Sequence, residues 1–216
     1  MYLDYYSTLN EKYKGDAREF IGSLERYRMS EKRKKNTLTT KQLTKIAMMV
    51  AFISAMSYVR IPLPFSEMAV TGQTLAVNVI ALLLTPLESF VTMICYWLLG
   101  MVGAPVFGGM AGPGKMLGPG GGYFAAFMLA VVLIAKFRGK AYHFGRYLLV
   151  TILVGIVVID GIGFLWMKLV TEMTWEAALL AGVVVFVPLD VAKCLLACVV
   201  VKPLRRAFAV LENDME

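Results

Sequence analysis

The stretch "VVVFVPLDVAKCLLACVVV", residues 183–201, decides what kind of molecule this is. An apolar run near 20 residues can bridge a hydrocarbon core about 30 Å thick. Here that run carries two charges, Asp190 and Lys193, three residues apart. On a helix that spacing puts both side chains on one face. A charge in a membrane helix costs at least ~2.5 kcal/mol on insertion scales, so it pairs or faces a cavity. Two readings are open: a neutralised ion pair that fixes helix packing, or one wall of a ligand site. A carboxylate beside an ammonium offers an acceptor and a donor at adjacent points, which suits a polar head group bearing both N–H and C=O. That complementarity favours the ligand site. Pro188, just upstream, is expected to loosen the helix and free a carbonyl.

The rest of the chain agrees with a membrane setting. Of its 216 residues 58% are hydrophobic and 17% charged, and mean hydropathy is +0.67. Soluble domains carry about 45–50% apolar and roughly 25% charged residues. Six apolar segments are expected, at 43–59, 69–84, 87–102, 123–135, 147–165 and 177–201. The second and fourth are short for a full span. This defines an all-α integral membrane protein. Its parts are a polar basic tail over 1–40, a membrane domain over 41–206 and a short C-terminal tail over 207–216.

The formal charge of +7 reads as an orientation signal and not as a nucleic-acid footprint. Most of the Lys and Arg fall in the tail through Lys45, in the loop "KFRGKAYHFGR" (136–146) and in Lys202–Arg206. Arg60, Lys115 and Lys168 fall on the other side. With six spans, both termini are cytosolic in the cell membrane. A four-span arrangement with segments two and four re-entrant keeps most of that asymmetry and moves the glycine loop to the cytosolic face; charge alone does not separate the two. In the tail, Phe20, Ile21, Leu24 and Tyr27 could form one face of a short helix, and its basic residues suit anionic lipid.

"GGMAGPGKM" (108–116) reads G-x-x-x-x-G-K from Gly109, and "IVVID" ends at Asp160, which together mimic an ATPase. Met116 stands where a P-loop needs a hydroxyl for magnesium, and the preceding run looks like a membrane helix instead of a strand. Asp160 lies inside a membrane-length apolar run. The nucleotide reading is rejected. Nor is there a nucleophile–base set or a metal cluster, so no enzyme is expected and no cofactor. Cys95, Cys194 and Cys198 lie in apolar runs as packing residues, and His143 is the only histidine.

From Gly100 to Gly122 glycine and proline dominate, a backbone that cannot continue a helix. Such backbone survives at membrane depth only where it is buried or lines a cavity. We read it as a binding loop between helices 3 and 4. Asp160 is a third intramembrane acid that joins the cavity, supports Lys193 or sits near the interface. Glu88 is expected at the interface. Gln73 and Thr74 either line a cavity or cap a helix. Ala47, Ala51 and Ala55 form a smooth stripe that permits close helix approach, inside the chain or with a second membrane protein.

Four stretches, "TGQTLAVNVIALLL", "LLGMVGAPVFGG", "LGPGGGY" and "FVPLDVAKCLLA", resemble in order and spacing the BioY family. Its members are the biotin-specific S components of energy-coupling factor (ECF) transporters. The resemblance covers roughly residues 43–206. It implies a six-helix S component that binds biotin in a cavity open to the outside and closed by loops. It further implies a transmembrane coupling (T) component and two ABC-type ATPase subunits, which alone use ATP, and transport by toppling of the S component. The family's P-x-D-x-x-K ligand contacts fall on Asp190 and Lys193. Its helix-one stripe, which meets the coupling subunit, falls on Ala47 and Ala51, with Ala55 next in register. Gly109, Met110, Tyr123, Gln73, Asp160 and Lys115 complete the expected substrate-binding set. Some members carry arginine where Phe124 stands, and a polar residue where Met110 stands. Lys115 is therefore the candidate to hold the biotin carboxylate. An S component for another vitamin and a membrane scaffold are the alternatives.

Overall fold

The structure, a computed structural model, describes Ile21, residues 38–62 and residues 69–213. It divides into two units, Met1–Thr40 and Lys41–Glu216. The readings of the N-terminal tail, including the Phe20, Leu24 and Tyr27 face, lie outside the described residues. The second unit holds the helices. Helix α1 (Thr40–Tyr58) runs into a small hairpin of β1 (Arg60–Ile61) and β2 (Val70–Thr71). The strands pair antiparallel, Arg60 opposite Thr71 and Ile61 opposite Val70. Then come α2 (Gln73–Leu83), α3 (Pro86–Met101), the short α4 (Pro113–Leu117) and α5 (Gly121–Phe137).

Two long rods complete the chain. The first joins α6 (Phe144–Val150), a π-helical turn (Thr151–Ile156) and α7 (Val157–Thr171). The second joins α8 (Trp175–Leu179), a π turn (Leu180–Val184) and α9 (Phe186–Asn213). Among the described residues, Phe144–Thr171 and Trp175–Ala209 are long and apolar enough to cross a membrane; α2, α3 and α5 are apolar but shorter. Residues 207–213, expected in the C-terminal tail, continue α9.

The sequence explains the layout. Helix α2 is buried on nearly every side, with Ala76, Val77, Val79, Ile80, Ala81 and Leu82 inside together with the polar Gln73 and Asn78. A helix of that kind belongs in the middle of a bundle. It packs against α9, α5 and α3. It begins at Gln73, later than the apolar segment from Ala69, because Val70 and Thr71 are drawn into the hairpin. At its other end Arg138 donates to the carbonyls of Leu83 (3.4 Å) and Leu84 (2.9 Å), a cation closing a helix C-terminus. Helix α3 starts with a capping box: Glu88 accepts from Thr85 N–H at 2.8 Å, and the Thr85 hydroxyl accepts from Glu88 N–H at 3.3 Å. Glu88, expected at the interface, is buried at 4% exposure because that box absorbs its charge.

Close approach of α5 to α7 rests on glycine. A methyl at Gly163 would lie 2.3 Å from the Tyr123 ring, and one at Gly122 would lie 2.1 Å from Trp166 Cβ. Pro188 sits in the first turn of α9, directly after the π turn and Val185, where a missing N–H donor costs least.

Candidate functional site

A cavity of about 300 Å³ lies between the hairpin, the glycine segment and the helices α2, α5, α7 and α9. That is the lower end of the range for small-ligand pockets. Its buried wall carries charge. Lys193 Nζ donates to Asp190 Oδ1 (2.8 Å) and to Thr74 Oγ1 (2.8 Å), and the Thr74 hydroxyl donates to the same Asp190 oxygen (3.0 Å). The ion pair is the one expected from the three-residue spacing. Lysine has three N–H donors, and this ring uses two of them.

Asp160, on α7, also lines the cavity, and its Oδ2 has no protein partner although the residue is 3% exposed. Behind it a space of about 10 Å³ is bounded by Thr74, Asn78, Gly155, Asp160, Asp190 and Cys194. Asn78 Oδ1 is likewise unpartnered there. Both free groups are acceptors, so this end of the site accepts N–H or O–H groups.

The remaining wall is aromatic. Phe107 meets Tyr96 edge-on with centroids 5.3 Å apart and Phe124 at 4.8 Å; Phe124 continues to Phe127 at 6.0 Å. Tyr123 and Phe186 close the row at 6.4 Å. The Tyr123 hydroxyl points away, donating to Gly182 O in the π turn at 2.8 Å, so the ring is what the cavity meets.

The glycine segment is held against α1 by a hydroxyl. Gly108 N–H donates to Ser57 Oγ at 2.8 Å, and the Ser57 hydroxyl lies 2.7 Å from the Val106 carbonyl. Tyr96 also donates to Val106 O, at 3.0 Å, and accepts from Gln73 Nε2 at 2.6 Å. Gly108 has φ +67 and would place a methyl 2.8 Å from Ser57 O, so no other residue fits. Helix α4 follows, only five residues long, and Trp166 Nε1 donates to Gly118 O at 3.0 Å to hold its far end. Lys115, on α4, is half-buried and lines the cavity with Arg60 of β1. Burial, and then the Arg60 charge, hold the Lys115 ammonium below the usual lysine pKa.

Of the expected set, Asp190, Lys193, Met110, Tyr123, Gln73, Asp160 and Lys115 all line this cavity. Gly109 does not; its neighbour Gly108 does, because the Ser57 contact draws that residue inward while Met110 O turns back to accept Phe107 N–H. Ala47, Ala51 and Ala55 lie on the exposed side of α1, opposite buried Ile46, Val50 and Ile53. Sequence reading missed Arg60 as a site residue, and also Phe107, Phe127 and Phe186. Arg60 had a signal, as one of three cations, with Lys115 and Lys168, expected on the side opposite the basic loops. Phe127 and Phe186 had none, being ordinary in apolar runs; Phe107 lay inside the glycine segment read as a binding loop.

Apolar helices, a partly open cavity and charges buried in its wall define a membrane protein built to hold a small ligand. The BioY family model matches residues 29–210, and the chain belongs to that family. It is 34% identical over 168 residues to the biotin transporter BioY2 of Lactococcus lactis, covering 77% of this chain and 91% of that one. It is 31% identical over 169 residues to a probable biotin transporter BioY of Pyrococcus horikoshii, covering 78% and 98%. A crystal structure of the biotin S component of an ECF-type ABC transporter superposes with TM-score 0.73 at 28% identity, over 79% of this chain and 95% of that one.

Proposed function

We propose that this chain is the biotin-binding membrane subunit of an ECF-type uptake transporter, which captures biotin from outside and delivers it with its partners. The observation that carries this is the Thr74–Asp190–Lys193 ring, with the free Asp160 oxygen, on the wall of an aromatic cavity in a BioY-family chain. Biotin's ureido ring presents two N–H donors and one C=O acceptor. Asp190 and Asp160 accept the donors, and the third N–H of Lys193 meets the carbonyl. The aromatic row takes the sulfur ring and the aliphatic chain, and Lys115 faces the carboxylate.

Six spans supply the frame: α1, α2, α3, α5 and the two rods. Arg138, Arg146, Lys202 and Arg205 then lie on the cytosolic side with both termini, and Arg60, Lys115 and Lys168 lie outside. The exposed Ala47, Ala51 and Ala55 stripe is the surface for the T component. No cofactor is needed in this chain; two partner ATPases consume the ATP. Toppling within the membrane would carry the loaded cavity inward.

The test is biotin binding to the purified protein in detergent, by calorimetry, with riboflavin and thiamine as competitors. Biotin is expected to bind tightly and selectively. Asp190→Ala or Lys193→Ala is expected to weaken it roughly 10- to 100-fold, the range for a lost hydrogen bond to a charged group. Selective riboflavin or thiamine binding instead would overturn the ligand assignment.

A further inference from the structure

The cavity has a second charged wall, made of different elements. Apart from Lys193, which Asp190 neutralises, the cations lining it are Arg60 and Lys115. Arg60 stands at the start of β1, directly after α1, and Lys115 stands in the middle of α4. Neither has a carboxylate partner among the described residues. One guanidinium N–H of Arg60 reaches the Gly108 carbonyl at 3.3 Å, which aims the group along the glycine segment and leaves most of its five donors without a partner among the described residues. Both side chains are more accessible than Asp160 and Asp190, which are 3% and 4% exposed, so the cations mark the entrance and the acids the interior.

Two like charges at one cavity mouth, with no carboxylate partner among the described residues, repel each other, and an anion placed between them relieves that repulsion. Phe124 and Phe127, which fill the adjacent wall, offer no side-chain donor. Resting on the proposed biotin site, we infer that Arg60 and Lys115 together form a two-cation clamp for the carboxylate of the bound ligand, with Arg60 as a specificity-determining residue. Because one cation belongs to the hairpin and the other to α4, the bound carboxylate also ties these two segments together over the cavity. The guanidinium supplies planar, paired donors and the ammonium a point charge, so the two are not redundant.

The experiment compares biotin with its neutral carboxamide by calorimetry. The proteins are wild type, Arg60→Ala, Lys115→Ala, the double variant and the charge-preserving Arg60→Lys and Lys115→Arg. Each alanine change is expected to weaken biotin roughly 10- to 100-fold while carboxamide affinity stays within about twofold of wild type. The charge-preserving changes should retain most of the preference for the acid. Equal losses for acid and amide would mean a structural role only and would overturn the clamp, as would unchanged biotin affinity in the Arg60→Ala protein. Wild-type protein that binds neither compound would sink the biotin reading itself, a result separate from failure of the clamp alone.

Discussion

At the scale of single residues, the ring of Thr74, Asp190 and Lys193 does two jobs at once. It neutralises charge that the membrane would otherwise penalise, and it leaves donor and acceptor capacity facing the cavity. The jobs separate under mutation. Asp190→Asn with Lys193→Met removes both charges together, so the folded protein should keep a near-native Tm in detergent while losing biotin binding. Asp190→Ala alone strands the ammonium and should also lower stability, by about 3–5 kcal/mol, the usual cost of breaking a buried pair. If the double variant binds biotin normally, the pair is only a packing device. A second residue-scale consequence concerns pH. The charged group acting on Lys115 is Arg60; the other titratable groups of the cavity are Tyr123 on α5, Asp160 on α7, and Asp190 with Lys193 on α9. A lysine held below its ordinary pKa loses its charge sooner as pH rises, whereas a guanidinium stays charged. Affinity for the carboxylate ligand should therefore fall as pH rises through the Lys115 pKa. Lys115→Ala should flatten that dependence.

At the scale of elements, the cavity exists because helices that would otherwise collapse together are held at set distances. Gly163 lets the Tyr123 ring lie directly on α7, and the Tyr123 hydroxyl reaches the π turn that follows α8. Gly163→Ala puts a methyl 2.3 Å from that ring. Overpacking of this kind costs about 1–3 kcal/mol. We expect a lowered Tm and weaker biotin binding together, because the ring that moves is part of the cavity wall. Unchanged Tm and affinity would mean that α5 and α7 adjust freely. Each π turn has a helix-perturbing residue in or beside it. Pro188 cannot donate back to Val184, which frees the backbone at the second turn. The first, at Thr151–Ile156, passes Gly155, where a methyl would lie 3.1 Å from Asn78 Oδ1.

At the scale of the molecule, large apolar side chains such as Leu98, Leu149, Leu153, Leu169, Leu196 and Val199 face outward. In water such a surface would aggregate; in a bilayer it is the solvent-facing side. The exposed alanine face of α1 is different in kind, smooth where the others are bulky. Ala51→Leu should leave biotin affinity intact and abolish uptake in cells that carry the coupling and ATPase subunits. Normal uptake by that variant would remove α1 as the docking surface. The sequence alone determined the membrane class and the largely helical content and singled out charged residues that line the cavity, because a charge or a glycine run is anomalous against an apolar background wherever it falls. Asp190 and Lys193 were legible for that reason, whereas Lys115 was singled out through the family resemblance and its departures at Phe124 and Met110. Tertiary structure decided the rest. It brought Arg60 from the end of α1 to Lys115, chose Gly108 over Gly109 through one serine hydroxyl, and turned four ordinary phenylalanines into a wall. Those outcomes depend on which residues distant in the chain become neighbours, and a local pattern carries no record of that.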